Sequence, residues 1–272
     1  MNRPRATLML ATSQMPRHLE LVFAALERSP FRDFEVIVCD DGSGPEARQI
    51  SEAFASRSGI QTKHVWQEHR GFRKCRILNE GLRQSTGELL VFLDGDCVPH
   101  RDYVGDHVSQ LEPGVFCAGR RVELGEKISA ALTPEMVSRG FFDFPGPRML
   151  WSFATGDSEH FQRTLRFPWP GVRRCLGMER IDDLKGCNYS VSRKDLEAIN
   201  GFDEEYEGYG REDTDVELRL RNLGLHIRSM KGLALQFHVW HPRRAFTPAN
   251  DKRLDEVKMT RRFWCEQGMR RN

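Results

Sequence analysis

An apolar run at residues 89–93 is the feature of this sequence that most restricts how the chain can fold. Such a run is typical of a strand buried on both faces, as in a parallel sheet covered by helices on both sides. It is followed by Asp94, Gly95 and Asp96, and Pro99 is expected to stop the strand. Alternate residues of an extended chain point the same way, so the two carboxylates are expected to face one site.

Carboxylates at the end of a buried strand indicate a ligand site, because ligands of open α/β sheets bind beyond the carboxyl ends of the strands. Gly95 lets the backbone approach a ligand closely. Asp94 and Asp96 together suit a divalent cation that carries a diphosphate. An acidic turn without a function is the alternative, since so short a motif also arises by chance.

Strand and helix patterns alternate in the sequence that precedes this run. Strand patterns occupy residues 7–11, 34–39 and 60–66, and helical patterns begin near His18, Pro45 and Arg73. Alternating strands and helices are the pattern of a parallel sheet with helices on both faces. The sequence therefore predicts an α/β fold with a doubly wound, mostly parallel central sheet.

Composition excludes several classes of function. The chain has 41 Lys and Arg residues against 39 Asp and Glu, and its net charge of +2 argues against a nucleic-acid partner. Its seven cysteines include no Cys-x-x-Cys pair, which predicts reduced thiols rather than disulfides or a zinc site. No apolar stretch approaches the roughly 20 residues that span a bilayer, and the start lacks the pattern of a signal peptide. We therefore expect a cytoplasmic protein.

A second acidic strand end, Asp40 and Asp41, is followed by Gly42 and Ser43. Parallel strands that neighbour each other end at the same edge of the sheet, and a nucleotide base needs a specific polar partner there. No Gly-x-Gly-x-x-Gly motif and no P-loop follow the first strand. A diphosphate would therefore be held by a cation and by side chains, and Asp41 is the predicted contact of the nucleotide.

Several short motifs together resemble a known family. They are Asp40-Asp41-Gly42-Ser43, Gly71-Phe72-Arg73, Asn79-Glu80-Gly81 and residues 87–99, followed by residues 185–190, 200–203 and 208–215. The first group is similar to the nucleotide half of family 2 glycosyltransferases with the GT-A fold. The second is similar to the acceptor half of galactosyltransferases and chondroitin-polymerase-type enzymes. The resemblance covers roughly residues 6–242, without residues 125–180.

The resemblance implies specific roles for residues of the nucleotide half. Nucleotide-sugar binding is expected from Thr12, Asp41, Phe72, Arg73, Asn79, Asp94, Gly95 and Asp96. A cation, Mn²⁺ or Mg²⁺, is expected at Asp94 and Asp96, completed by a histidine from the end of the matched region.

Two histidines, His238 and His241, lie three residues apart at the end of an apolar strand pattern. A single histidine is mostly structural, but two at a strand end in a protein that needs a cation favour a ligand role. The family spacing Met-x-x-His favours His241, with His238 in the place of the methionine, and both remain candidates.

An acidic pair, Glu212 and Asp213, stands at the start of a helical pattern formed by Val216, Leu220 and Leu223. Capping of that helix is one interpretation, because acidic residues are favourable at helix starts. A general base is the other, because a carboxylate held there stays ionised. In the family the second acid is the base, which implies Asp213; we assign acceptor positioning to Glu212.

Two stretches lack a clear pattern. Residues 125–180 are rich in aromatic residues, proline and arginine, which suits a surface excursion, a lid or acceptor platform, or a membrane-surface patch. The tail at 243–272 is basic and is expected to form a helix packed on the domain, with an anionic membrane as the alternative.

The resulting expectation has three parts along the chain. Residues 1–119 form the nucleotide-sugar-binding half, residues 120–242 the acceptor-binding and catalytic half with an acceptor-side subdomain, and residues 243–272 a basic helical tail. The resemblance implies an inverting, metal-dependent hexosyltransferase that moves a sugar from a UDP-sugar to a hydroxyl of a glycan or glycolipid acceptor. Bacterial surface polysaccharide or lipopolysaccharide synthesis is the implied setting, and a peripheral contact with the inner face of the plasma membrane is compatible with it.

Two other functions fit the sequence less well. A nucleotidyltransferase on a similar sheet would be expected to carry a glycine-rich loop after the first strand, where residues 11–15 have none. A non-catalytic carbohydrate- or nucleotide-binding domain is disfavoured by the many acids along one edge, because burying carboxylates without a role is costly.

Overall fold

The computed structural model describes residues 3–242 and 245–270 of the chain. Within these residues the strands are β1 (Ala6–Thr12), β2 (Phe34–Asp41), β3 (Thr62–Gln67), β4 (Leu89–Asp94), β5 (Cys97–Pro99), β6 (Val115–Ala118), β7 (Val122–Glu123), β8 (Asn188–Ser192), β9 (His226–Ser229) and β10 (Gln236–His238). The α-helices are α1 (Pro16–Leu26), α2 (Pro45–Ser58), α3 (Lys74–Gln84), α4 (Tyr103–Ser109), α5 (Glu126–Ala131), α6 (Pro134–Ser138), α7 (Pro147–Ala154), α8 (Pro170–Cys175), α9 (Arg193–Ala198), α10 (Glu212–Asn222) and α11 (Ala249–Thr260). A 3-10 helix, Phe161–Thr164, lies between α7 and α8.

Strand β1 lies inside a seven-stranded sheet with the order β3-β2-β1-β4-β8-β6-β9. It pairs in parallel with β2 and β4, and β3 extends this parallel part. Thr12 lies opposite Asp40 and Ala11 opposite Asp94, so both acidic strand ends reach the same edge. The predicted doubly wound, mostly parallel sheet is confirmed.

The apolar run of β4 is buried on both faces, as predicted. Leu89, Val91 and Leu93 join the core that α1 and α2 cover. Leu90 and Phe92 join the core on the opposite face, beneath α3, α9 and α10. Complete burial of each large apolar side chain contributes about 1.5–3 kcal/mol, which holds β4 firmly inside the sheet.

The strand does not continue through Asp96, which corrects one expectation. Gly95 and Asp96 form a turn, and β5 follows in a separate three-stranded sheet with the order β5-β10-β7. The Gly95 amide donates to the carbonyl of Ala11 at 2.6 Å, and a Cβ on Gly95 would lie 2.9 Å from Oγ1 of Thr12. Because a turn separates them, Asp94 and Asp96 do not follow the alternation of a strand and take different partners.

The main sheet crosses the predicted boundary at residue 119. β8 pairs with β4 in antiparallel orientation, with Leu89 opposite Ser192 and Leu93 opposite Asn188. β6 and β9 complete this edge of the sheet. The predicted nucleotide and acceptor halves therefore share one hydrogen-bonded sheet.

The stretch at 120–180 forms short helices, α5 to α8, together with β7 and the 3-10 helix. Phe142 stacks on Phe237 of β10 with ring centroids 4.3 Å apart, so part of this stretch packs its aromatic side chains into a small core. Trp151 and Trp169 remain 72% and 63% exposed. Among the described residues, none of the helices combines the length and the apolar character needed to cross a membrane.

The tail packs on the domain. Leu254 and Val257 of α11 are buried, and so is Cys265 beyond the helix. The side-chain amide of Asn200 donates to the carbonyl of Cys265 at 2.8 Å. The predicted helix covers only Ala249–Thr260, and residues 243, 244, 271 and 272 of the predicted tail lie outside the described residues.

Candidate active site

A cavity of about 1030 Å³ opens at the edge of the sheet where β1, β2 and β4 end. Its wall includes Asp41, Asp94 and Asp96 from the first half of the chain. From the second half it includes the acidic pair at the start of α10 and both predicted histidines, His238 and His241. The fold thus brings residues about 200 positions apart in the sequence to one concave site.

Asp96, His238 and His241 form a group that can hold a metal ion. Their ligand atoms all lie within 4.8 Å of one another. Nε2 of His241 is 3.0 Å from Oδ2 of Asp96 and 3.2 Å from Nε2 of His238. Burial would raise the pKa of Asp96, but the hydrogen bond from His241 and the charge of His238 hold it well below its usual range. Two imidazoles and a carboxylate suit a first-row divalent cation such as Mn²⁺.

A third histidine, His18 of α1, lies beside this group. Its ring is edge-on to that of His241 at 6.4 Å between centroids. Its Nε2 is buried and has no hydrogen-bond partner among the described residues. Buried polar atoms are normally satisfied, so an unpaired nitrogen here fits a site that holds a cation with its bound water. No pattern in the sequence marks His18, and sequence reasoning missed it.

Glu123 of β7 orients His238. Its Oε2 is 2.9 Å from Nδ1 of His238, and its Oε1 accepts a hydrogen bond from Nε of Arg121 at 2.7 Å. Burial would raise the pKa of Glu123, but His238 and Arg121 lower it to about 2. A carboxylate on Nδ1 leaves Nε2 free to bind a metal, the usual arrangement around a ligating histidine. Glu123 was not predicted, because a strand of two residues carries no periodic signal.

Asp94 is placed differently from the other predicted ligands. Its Oδ1 pairs with Nζ of Lys74 at 2.5 Å, and the group formed by Asp96 and the two histidines does not include it. Burial would lower the pKa of Lys74, but Asp94 and then Glu212 raise it. Asp94 therefore lines the cavity as the partner of a buried lysine, outside the group that can hold a metal ion, and its direct contact with the cation stays a prediction.

Asp41 is buried in the part of the cavity where the nucleotide is predicted to bind. Its carboxylate accepts hydrogen bonds from Nε2 of Gln67 at 2.7 Å and from the backbone amide of Arg73 at 2.9 Å. Thr12 and Phe72 also line the cavity, as predicted. Asp41 therefore fixes the turn that carries Phe72, in addition to facing the cavity itself.

Two predicted nucleotide contacts lie elsewhere. Asn79 is fully buried and exchanges hydrogen bonds of 2.8 and 2.9 Å with the backbone of Phe202. The guanidinium of Arg73 donates to the carbonyl of Glu68. Neither side chain is among the described residues that line the cavity. Asn79 is a structural residue that joins α3 to the loop after α9, because its position in α3 turns it into the protein.

The acidic pair opens α10, after Arg211 in a left-handed conformation with φ of 77°. Oδ2 of Asp213 accepts the backbone amide of Gly186 at 3.0 Å, and Oδ1 accepts that of Thr214 at 2.7 Å. Oε2 of Glu212 accepts the amide of Gly210 at 3.0 Å. Burial raises the pKa of Glu212, Lys74 opposes this, and the charge of Asp213 adds to it.

Capping explains this arrangement only in part. The capping position belongs to Arg211, which has no side-chain cap, and Asp213 satisfies one helix amide. Its second bond reaches a loop from another part of the chain. A Cβ on Gly186 would lie 3.2 Å from Cβ of Asp213, so the glycine permits this approach. Asp213 is thereby held at the cavity wall, where a general base would be required.

Comparison with known families finds two matches along the chain. The model described as glycosyl transferase family 2 matches residues 16–167. The model described as the N-terminal domain of galactosyltransferase matches residues 174–242. The second match covers the acidic pair and both histidines.

Among curated proteins, the chain is 27% identical over 250 residues to the chondroitin synthase of Escherichia coli, which covers 87% of this chain and 35% of that protein. Three of the curated relatives are matched over 35%, 63% and 52% of their own length, so the chain spans between a third and two thirds of them.

Two solved structures share the fold. The mannosyltransferase PcManGT from Pyrobaculum calidifontis, in complex with GDP-Man and Mn²⁺, has a TM-score of 0.59 at 17% identity, covering 96% of this chain and 70% of that one. S. aureus TarS in complex with UDP-GlcNAc has a TM-score of 0.63 at 14% identity, covering 94% and 66%.

Proposed function

Because the chain belongs to glycosyl transferase family 2, we propose that it is an inverting, metal-dependent glycosyltransferase. It would move a sugar from a UDP-sugar to a hydroxyl of a glycan acceptor. The observation that carries this proposal is that one cavity holds both a group of cation ligands and the carboxylate of Asp213. Sugar transfer from a nucleotide needs both chemistries, one for the leaving diphosphate and one for the attacking hydroxyl.

The residues divide the work as follows. Asp96, His238 and His241 would hold the cation, and Glu123 would keep His238 in the ligating tautomer. When bound, the cation neutralises charge on the leaving diphosphate. Asp213 would take the proton of the acceptor hydroxyl on a carboxylate oxygen, which has a lone pair left after its backbone bond. The acceptor oxygen then bonds to the anomeric carbon as the bond between that carbon and the diphosphate oxygen breaks. This displacement inverts the configuration of the anomeric carbon.

The donor half of the proposal rests on Asp41, Thr12 and Phe72, which line the cavity and which we assign to the nucleotide. A structural neighbour is described in complex with UDP-GlcNAc and another with GDP-Man. We favour a uridine donor and include a guanosine donor in the test. The chondroitin synthase relative supports a role in bacterial surface polysaccharide or lipopolysaccharide synthesis.

Replacement of Asp96 by Asn tests the cation site. Removal of one ligand should weaken Mn²⁺-dependent binding of UDP by roughly 10- to 100-fold, the scale measured when the support of a metal site is lost. Isothermal titration calorimetry with UDP, in the presence and absence of Mn²⁺, measures the change. Hydrolysis of UDP-sugars and of GDP-mannose by the unaltered protein identifies the donor.

Asp94→Asn is the matched control, because Asp94 lines the same cavity but pairs with Lys74. It should keep the dependence of UDP binding on Mn²⁺. An equal loss in both variants would return Asp94 to the cation site. No nucleotide binding that depends on metal, together with no turnover of any donor, would refute the proposed function.

A further inference from the structure

Four cationic side chains lie together on the cavity wall; we refer to Arg120, Arg121, Arg163 and Lys185 as the basic wall. They are linked by direct contacts. Arg120 and Lys185 share the carboxylate of Asp183. The guanidinium of Arg163 donates to the backbone carbonyl of Arg121 at 2.9 Å. The wall is therefore one continuous surface.

The basic wall has more positive charge than its own carboxylates neutralise. Arg121 pairs with Glu123 at 2.7 Å, and Asp183 serves both Arg120 and Lys185. Four cations thus share two carboxylates. All four residues line the cavity, where a ligand can reach them.

Arg163 is the cation of the basic wall that is left without a carboxylate partner among the described residues. It makes no ion pair with any carboxylate of the described residues, and its one side-chain bond is to the carbonyl of Arg121. Burial lowers the pKa of Arg163, the neighbouring charge of Arg120 adds to this, and the charge of Glu123 opposes it. A guanidinium beside like charges is stabilised by an anion that pairs with it directly. Its planar set of donors matches a carboxylate or a phosphate through two parallel hydrogen bonds.

The backbone around Arg163 is held in place. His160, just before the 3-10 helix, adopts a left-handed conformation with φ of 70°, which is uncommon for a residue other than glycine. Such conformations persist where the surroundings enforce them, and they concentrate at binding sites.

The basic wall lies between the two chemical groups of the cavity. At one end Lys185 precedes Gly186, whose amide binds Asp213. At the other end Arg121 contacts Glu123, the partner of His238. A glycan whose hydroxyl lies at Asp213 would therefore extend along this wall.

We propose that the basic wall binds an anionic group of the acceptor glycan, a carboxylate or a phosphate, with Arg163 as the main contact. This rests on the proposed function only in placing the acceptor hydroxyl at Asp213. The diphosphate of the donor is the other anion that the cavity would receive. The proposed function places it at Asp96 and the two histidines, and Arg163 is linked to that group through its contact with Arg121 and the pair of Arg121 with Glu123.

Binding of simple sugars to the protein, with and without UDP and Mg²⁺, tests this proposal. The probes are glucuronate, glucose 6-phosphate and neutral glucose, and ligand-observed NMR gives their affinities; Mg²⁺ replaces the paramagnetic Mn²⁺. At least one charged sugar should bind roughly 10-fold or more tightly than glucose, as expected for hydrogen bonds to a charged group. Arg163→Gln should abolish this preference and leave the affinity for UDP and Mg²⁺ unchanged.

Arg174→Gln is the control, because Arg174 is an exposed arginine of the same stretch that does not line the cavity. It should behave like the unaltered protein. Equal affinity for all three sugars, or a preference that survives in Arg163→Gln, overturns the proposal. Weaker binding of UDP and Mg²⁺ in Arg163→Gln, without an effect on the sugars, would assign the wall to the donor diphosphate instead. Absence of UDP binding in the unaltered protein would count against the proposed function. The affinities of the three sugars without nucleotide would still show whether the basic wall binds an anionic sugar.

Discussion

Asp213 is the residue on which the proposed proton transfer depends. Asp213→Asn retains the shape of the side chain, and its carbonyl oxygen can still accept one backbone amide. The variant should therefore fold and bind donor and cation normally. Transfer to an acceptor should fall by roughly 10²- to 10⁴-fold, the range for loss of a general base. Steady-state transfer assays, with NMR of the anomeric product to establish inversion, measure this.

Glu212→Gln provides the comparison within the same turn. Glu212 accepts the amide of Gly210, and its pKa is raised by burial, so a neutral side chain is tolerated there. Its loss of transfer should be smaller than that of Asp213→Asn. If Asp213→Asn keeps more than about a tenth of the normal rate, far above the general-base range, the assignment of the base is wrong.

At the level of single residues, the sequence predicted those whose role follows from a motif. Asp96, Asp213 and both histidines lie in the cavity, as expected. Asn79 was predicted to contact the nucleotide, but its side chain is buried against Phe202, because a motif does not reveal which face of α3 is buried. Lys74, Glu123 and His18 were missed because each lies beside a site residue that is far away in the sequence, and such contacts leave no local pattern.

The turn between β4 and β5 is the element that positions the carboxylate of Asp96 beside His238 and His241. A methyl group at Gly95 would meet the side chain of Thr12 at 2.9 Å and the carbonyl of Ala11 at 3.1 Å. Gly95→Ala should therefore displace the turn and weaken Mn²⁺-dependent UDP binding by roughly 10-fold or more. Calorimetry with UDP and Mn²⁺ measures the loss.

Gly44→Ala, at the start of α2, is the matched glycine replacement, because its added methyl group meets nothing within 4 Å. It should leave UDP binding unchanged. If Gly95→Ala binds UDP and Mn²⁺ as well as Gly44→Ala does, the turn is not what positions Asp96.

Strands β1, β2 and β4 could be predicted because each contains an apolar run, at residues 8–11, 36–39 and 89–93. β6, β7 and β9 have two to four residues each, too few for a periodic signal. The turn at Gly95 was also hidden, since the sequence Asp-Gly-Asp fits both an extended strand end and a tight turn. Backbone partners from elsewhere in the chain decide between them: the Gly95 amide donates to the carbonyl of Ala11, and the Asp96 carbonyl accepts the amide of Val239.

For the whole molecule, the residues after α11 hold the C-terminal end of the chain on the domain. We refer to residues 263–270 as the clasp. Asn200 accepts the amides of Met269 and Arg270 and donates to the carbonyl of Cys265. Deletion of residues 263–272 should lower the free energy of unfolding by about 0.5–1.5 kcal/mol for each of these bonds, and further through the exposure of apolar surface. Urea denaturation followed by circular dichroism measures the change.

The affinity for UDP and Mn²⁺ should survive this deletion at temperatures where the protein stays folded, because residues 263–270 do not line the cavity. Asn200→Ala should show part of the same destabilisation. An unfolding free energy that does not change in either variant would show that the clasp contributes nothing to stability.

The predicted division at residue 119 refers to binding roles, and the main sheet extends across it. Sequence patterns predicted two halves, because each half has its own motifs. They gave no sign that β8 inserts between β4 and β6, because strand order depends on pairing between distant segments.

The insertion of β8 has a consequence for how the chain is made. During synthesis β4 leaves the ribosome long before β8. One edge of β4 can pair with β1 early, but the other edge stays unpaired until β8, with Ser192 opposite Leu89, has been made. Until then the nascent chain exposes an unpaired, strongly apolar strand edge, the kind of surface that pairs with other chains. Closing so long a loop also slows folding, because its entropy is lost before the contacts form. Efficient production of this protein should therefore depend on chaperones that shield the growing chain.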